Sequence, residues 1–300
     1  MLSADFIRRF TEIAKGPDPD LAPAALFIAR LEYPQLDARL YLERLDEMGE
    51  NVSKRLSLLD ADPAPAKQID AISSYLFRDE GFTGNTEAYD DPRNSFLNQV
   101  IERRTGIPIT LALVYIEVAR RAGVRVDGVN FPGHFLLRLP KPSLHTTDQV
   151  IIDPFHGGNI LSELDCRQLM RKHSDGNTEF NERLLVRATK QQILLRMLVN
   201  LKAIYVRMRS FPQAFTLTEL LLALDPSAMT ELRDRGLLAY HLNYFSTALR
   251  DLETYLHFNS HGDRGSSDKI LEKGETPDEE ENAEIWEHVK ELRRRVASLN

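Results

Sequence analysis

Apolar residues recur every three or four positions through the first sixty residues. Phe6, Phe10 and Ile13 share one helical face. Leu26, Phe27 and Leu31 form a second stripe, which must stop before Pro34 because the residue ahead of a proline is pushed out of the helical region. Leu45, Met48, Val52 and Leu56 keep the same spacing, so residues 3–60 read as helices. The run 60–66 (DADPAPA) holds two prolines and reads as a hinge loop. Ile69, Ile72, Leu76 and Phe77 then make a short helix face.

The pattern loses its period over residues 81–95 (GFTGNTEAYDDPRNS), which read as a loop. Asn94 or Ser95 is expected to cap a helix through Phe96, Val100 and Ile101. Residues 103–106 break that helix. Pro108 suits the first turn of the next one, where its missing N–H has no partner to lose. Leu111, Val114, Tyr115, Val118 and Ala119 give that helix a broad apolar face, and Gly123 is its expected stop. Extended segments follow. Residues 124–131 and 134–139 flank the turn signal Pro132-Gly133, and the β-branched run 150–152 ends in Asp153-Pro154 and Gly157-Gly158. Helices followed by a small antiparallel sheet predict an α+β fold.

From about residue 180 the helical period returns, now with a 34-residue repeat. Leu198, Leu201, Tyr205, Ala214, Leu221 and Pro226 fall at tetratricopeptide signature positions, and Leu232, Gly236, Ala239, Ala248, Leu252 and Tyr255 fill the same kinds of slot one repeat later. Residues 259–276 are polar and Gly/Ser-rich and read as a mobile loop. Thr276 and Glu279 form a capping box around Pro277. Ile285, Val289, Leu292, Val296 and Leu299 then mark a helix that caps the repeats. The expected organisation is an N-terminal helical region 1–65, a core 66–178 packed with it, helical repeats 179–258, the loop 259–276 and a capping helix 277–300.

Composition narrows the function classes. Thirty-eight Lys and Arg against 45 Asp and Glu leave a net charge of −7, which disfavours nucleic-acid binding. No apolar run reaches the roughly 18 residues of a membrane span. The amino terminus (MLSADFIRRF) carries charges where a leader needs an apolar stretch. A single cysteine, Cys166, forms no internal disulfide. A cytoplasmic protein is expected.

Three features could carry chemistry. Pro108 opens an apolar helix, His134 follows a Pro-Gly turn, and Asp153 closes a strand. In Cys-His-Asp enzymes the thiol sits at a helix amino terminus, where the dipole and a neighbouring imidazole lower its pKa. The run 94–138 (NSFLNQVIERRTGIPITLALVYIEVARRAGVRVDGVNFPGHFLLR), with 151–158 (IIDPFHGG) and 76–85 (LFRDEGFTGN), resembles the SirB-type transglutaminase-like family. Members of that family pair such a core with a tetratricopeptide tail. The resemblance implies a papain- or transglutaminase-like core. Gly106 and Ala112 match its Gly and Ala, His134 and Asp153 match its His and Asp, and the cysteine slot falls on Pro108, which has no nucleophilic atom.

The expectation is therefore a degenerate triad of Pro108, His134 and Asp153, a pseudoenzyme that binds a protein or peptide. The alternative is a hydrolase or acyltransferase with a relocated nucleophile, with Thr110 and Ser95 as the hydroxyls to consider. His134 reads as a satisfied structural histidine, a ligand contact or a base. Asp153 reads equally as a turn residue. Asn94, Asn98, Arg103, Arg104, Thr110 and His156 are candidate binding residues. Gly157-Gly158 reads as a turn rather than a phosphate cradle. No cofactor is expected. No metal is expected either, because His134, Asp153 and His156 lack HxH or HExxH spacing.

Overall fold

The computed structural model describes residues 1–16, 20–61, 63–140, 150–173, 180–262 and 277–299. The chain divides into two compact units: Arg8–Asn200, and Leu201–Asn300 together with Met1–Ile7.

The first unit opens within helix α1 (Ala4–Ala14), followed by α2 (Ala22–Ala29) and α3 (Ala38–Leu56). α2 is apolar all round and buried on nearly every side, as such a helix must be. α3 starts at Asp37, whose carboxylate accepts the Arg39 N–H at 3.1 Å. Next comes α4 (Pro65–Ser73), which widens into a single π-helical stretch, Ser74–Asp79. The apolar spacing 69-72-76-77 does not separate a π-turn from an α-turn, so only the structure reveals it.

The segment expected to be a loop contains a two-residue strand, β1 (Thr83–Gly84), and a 3-10 turn, Pro92–Ser95. β1 pairs in parallel with β2 (Thr105–Gly106), after α5 (Leu97–Arg103). Neither Asn94 nor Ser95 caps α5. Its cap residue is Phe96, which makes no side-chain cap bond. Asp91 and Pro92 start the 3-10 turn three residues early, with Asp91 accepting the Arg93 N–H at 2.9 Å, and this turn takes up Asn94 and Ser95. Arg104 ends α5 in the left-handed region (φ 54°).

α6 (Pro108–Arg121) is the central helix, and every residue from Pro108 to Ala119 is buried. It packs on α2, α3 and α5 and on the first two strands of a four-stranded antiparallel sheet. That sheet runs β3 (Asp127–Val129), β4 (Leu136–Arg138), β5 (Ile151–Asp153) and β6 (Asn159–Leu161), neighbours in chain order. The strands are shorter than the extended segments of the sequence. β6 has no signal in the sequence pattern, because Asn159–Leu161 is only three residues long and largely exposed, with Leu161 alone packed against the core. α7 (Glu163–His173) follows, and then α8 (Lys190–Arg207), within which the first unit ends.

The second unit holds α9 (Phe211–Leu224), α10 (Met229–His241), α11 (Phe245–Gly262) and α12 (Pro277–Leu299), each packed on the next. The repeat positions Ala214, Leu221, Gly236, Ala239, Ala248 and Leu252 form the buried seams. Gly236 is needed there, since a Cβ would lie 2.7 Å from the Leu252 side chain. Buried Asp251 accepts two hydrogen bonds from Arg235, at 2.6 and 3.0 Å, and ties α11 to α10. α11 runs to Gly262, so residues 259–262 are helical rather than loop: an established helix propagates through weak formers at low cost. The Thr276 capping box and the rest of the expected mobile loop lie outside the described residues.

Candidate functional site

His134 is set by the turn before it. The His134 N–H donates to the Phe131 carbonyl at 3.1 Å, Pro132 takes the second position and Gly133 has φ +66°. This is the type II pattern, which demands a residue tolerant of positive φ at the third position. Asp153 is set by the sheet. In the β4–β5 register Leu137 faces Ile152, so Leu136 stands opposite Asp153. His134 lies two residues ahead of Leu136, in the turn that leads into β4. His134 and Asp153 are therefore diagonal neighbours in register, within reach of long side chains.

His134 Nε2 is 2.9 Å from Asp153 Oδ1, and both side chains are buried. The other carboxylate oxygen, Oδ2, is 2.7 Å from Nδ1 of His156, a residue at the rim. Asp153 Oδ1 also accepts the Phe155 N–H at 2.9 Å, and the Gly158 N–H donates to the Asp153 carbonyl at 2.8 Å. The two readings of Asp153 are thus both met: it builds the turn and it holds the imidazole. Burial pushes the Asp153 carboxyl up, but the hydrogen bonds and charges of His134 and His156 outweigh this and hold it below the usual carboxylate range. An ionised Asp153 only accepts, which assigns the bonded proton to Nε2 of His134 and to Nδ1 of His156.

Aromatic rings collar the pair. Phe155 stands edge-on to His134 at 6.0 Å and to His156 at 5.2 Å, and Tyr89 meets Phe155 edge-on at 6.1 Å. β1 approaches so closely that a Cβ on Gly84 would lie 2.6 Å from the Phe155 ring. Neither Tyr89 nor Phe155 is among the site residues expected from the sequence. Phe155 lies inside the DPFHGG run, which is a usable signal; Tyr89 sits in an aperiodic segment with no comparable one.

The hydroxyl and thiol candidates have other duties. Thr110 Oγ1 accepts the Ile107 N–H at 3.1 Å and donates to the Asn94 carbonyl at 2.7 Å, so it caps α6. Cys166 is fully buried in a cluster with Val129, Phe131, Leu136, Ile151, Met170 and Leu185. Burial pushes its thiol up to about 11, far from an activated thiolate. Accordingly a disulfide-exchange reagent should leave Cys166 unmodified in the folded chain and react stoichiometrically in denaturant, read by absorbance. Rapid native labelling would contradict its placement. Ser95 Oγ is buried and has no hydrogen-bond partner among the described residues.

Of the candidate binding residues, His156 alone is bonded to the His134–Asp153 pair. The Asn94 amide donates to the Ala88 and Tyr89 carbonyls at 2.7 and 3.3 Å and accepts from Asn85 at 3.1 Å, so it shapes the Tyr89 loop. Arg103 reaches Asn94 and Asp91. Arg104 bonds the Ile101 carbonyl and Glu80 and lies over the Phe82 ring. Asn98 is buried on α5, and its Oδ1 has no partner among the described residues.

A His–Asp pair delivered by adjacent strands beside a buried helix, followed by stacked helical repeats, defines a transglutaminase-like domain joined to tetratricopeptide repeats. The transglutaminase-like superfamily model matches residues 39–199, and a tetratricopeptide repeat model matches residues 201–272. The chain belongs to the transglutaminase-like superfamily. A UPF0162 protein of Xylella fastidiosa (strain Temecula1) is 41% identical over 79% of this chain and 83% of its own length. A UPF0162 protein of Pseudomonas aeruginosa is 33% identical over 64% of this chain and 67% of the relative. F-box only protein 21 of Homo sapiens is 32% identical over 58% of this chain and 28% of the relative. Among the described residues no helix is long and apolar enough to cross a membrane.

Proposed function

We propose that this chain is a non-catalytic transglutaminase-like protein that binds a protein or peptide, through the rim around His134 and Asp153 and through its helical repeats. A transglutaminase-like domain with tetratricopeptide repeats suggests a protein-interaction module. What supports the finer reading is that Pro108, the first residue of α6, matches the position where the family resemblance calls for the cysteine, while the lone thiol is buried in the core. Proline offers no atom for covalent catalysis. The aromatic edge formed by Phe155 and Tyr89 suits a peptide, since aromatic anchors dominate such contacts.

The second reading, a hydrolase or acyltransferase with a relocated nucleophile, is favoured by the intact His134–Asp153 contact and by the buried hydroxyl of Ser95, which has no partner among the described residues. Ser95 follows Asn94, whose carbonyl is tied to the first turn of α6. One experiment separates the two. Native protein is treated with thiol- and hydroxyl-directed active-site probes and with a panel of amide and ester substrates. The binding reading expects no stoichiometric labelling and no turnover. Turnover that disappears in both His134→Ala and Ser95→Ala would establish the enzyme reading instead.

A further inference from the structure

We propose that His134, Asp153 and His156 form a binding site for one divalent transition cation of the zinc type. The observation is spatial. These three residues, one buried imidazole, one buried carboxylate and one rim imidazole, bring one donor atom each to within 4.8 Å of one another. They come from two places in the chain, the turn before β4 and the turn after β5, and so show no metal spacing in the sequence.

The donor chemistry selects the ion class. Two imidazole nitrogens with one carboxylate suit zinc, cobalt, nickel or iron, whereas calcium and magnesium prefer all-oxygen sets. A tetrahedral cation with bonds of about 2.0–2.1 Å holds its donors about 3.3 Å apart. The present N···O separations are 2.9 and 2.7 Å, so each contact must open by about half an ångström, and as the cation binds the protons on His134 Nε2 and His156 Nδ1 move to the other ring nitrogen or to solvent. Asp153 is held by its backbone bonds, so the His134 contact opens by a small turn of the buried His134 ring. His156 can supply the other movement, because 56% of its side chain is exposed and two positive-φ glycines follow it.

The bland explanation is that the His156 ring serves the turn. The turn closes without it, however: the Phe155 N–H reaches the Asp153 carboxylate and the Gly158 N–H reaches the Asp153 carbonyl. The His156 ring adds a second imidazole to a carboxylate that already has its backbone partners. A three-ligand set of this kind leaves one coordination position for water or for a donor from another molecule.

The site is tested on the untagged full-length chain after treatment with a chelator, using calorimetric titration with Zn²⁺ and visible absorption with Co²⁺. The expected result is one equivalent bound, with cobalt ligand-field bands. Binding should weaken about 100-fold or more in His156→Ala and Asp153→Asn, and stay unchanged in His241→Ala. His156→Ala is the decisive variant, because its exposed ring can be removed while backbone bonds hold the turn; its fold is checked by thermal melting. No saturable binding, or an affinity unchanged in His156→Ala, overturns the site. Partner binding measured in chelator tests the proposed function separately, so either idea can fail alone.

Discussion

Glu117→Leu is expected to lower the stability of the unit Arg8–Asn200 by about 3–5 kcal/mol, the scale for removing one partner of a buried ion pair. Glu117 lies inside the apolar run of α6 and is fully buried. Its Oε1 accepts the backbone N–H groups of Leu21 and Ala22 at 2.7 and 3.1 Å. Those are orphan donors at the start of α2, where Leu21 has no side-chain acceptor of its own. Its Oε2 takes a hydrogen bond from Arg120 at 2.9 Å and another from Arg121. Leucine fits the volume but strands two amides and weakens the hold on two guanidiniums. Hydrogen exchange should show the effect first at the amides of α2. Retained protection there would mean that the carboxylate is not what caps this helix. Glu117→Gln keeps one acceptor and should cost less, about 1–3 kcal/mol.

The same residue sets an acid limit. Burial pushes the Glu117 carboxyl up, but Arg120, Arg121 and the Leu21 N–H more than compensate, and its pKa lies below the ordinary glutamate value. A depressed carboxyl contributes stability that is complete above the unfolded value of about 4.3. That contribution is lost as pH falls through the folded value. The stability gap between the native chain and Glu117→Gln should therefore be flat above that point and shrink below it. A gap that widens on acidification would contradict the assignment.

Gly158→Ala carries the second large effect, about 2–5 kcal/mol from two sources: backbone strain and overpacking. Gly158 has φ +74°, and a left-handed L-residue costs about 1–2 kcal/mol. The new Cβ would also collide with the Ser73 hydroxyl, lie 2.7 Å from Ser73 Cβ and lie 2.8 Å from the Phe77 ring, which adds an overpacking cost of about 1–3 kcal/mol. The neighbouring Gly157 is the internal control. It has φ +76°, but an added Cβ would meet nothing within 4 Å, so Gly157→Ala should cost only the backbone share. Equal losses in denaturant melts of the two variants would show that the contact with Ser73 and Phe77 yields without penalty. Because the Gly158 N–H closes the turn on the Asp153 carbonyl, Gly158→Ala should also disturb the Asp153–His156 contact.

Much of the scaffold is legible along the chain. The three-to-four spacing of Phe6 to Ile13 and of Leu45 to Leu56 marks α1 and α3, since a helix buries whatever its period places on one side. Pro108 at the first position of α6 and Pro132-Gly133 ahead of β4 are local backbone rules and hold in the structure. The repeat seam around Gly236 and Ala239 is legible because neighbouring repeats impose the same packing on the same positions.

The site is legible only in part. His134 and Asp153 stand out by type and order, and their contact follows once the β4–β5 register is known. Asn94 and Asn98 look equally suitable, yet Asn94 holds the Tyr89 loop and Asn98 is buried on α5. Polar residue type does not say which way a side chain turns.

By itself the sequence determined where helices run, where turns break them, and that the slot expected to hold a sulfur holds the ring of Pro108. Those are properties of neighbours along the chain, governed by backbone dihedrals and by the period of burial. Only the tertiary structure decided that Glu117 caps a helix 96 residues away, that Cys166 lies in the core, and that His156 shares a carboxylate with His134. Each depends on which surfaces meet when the apolar faces are buried together, and that pairing is a property of the whole packed chain.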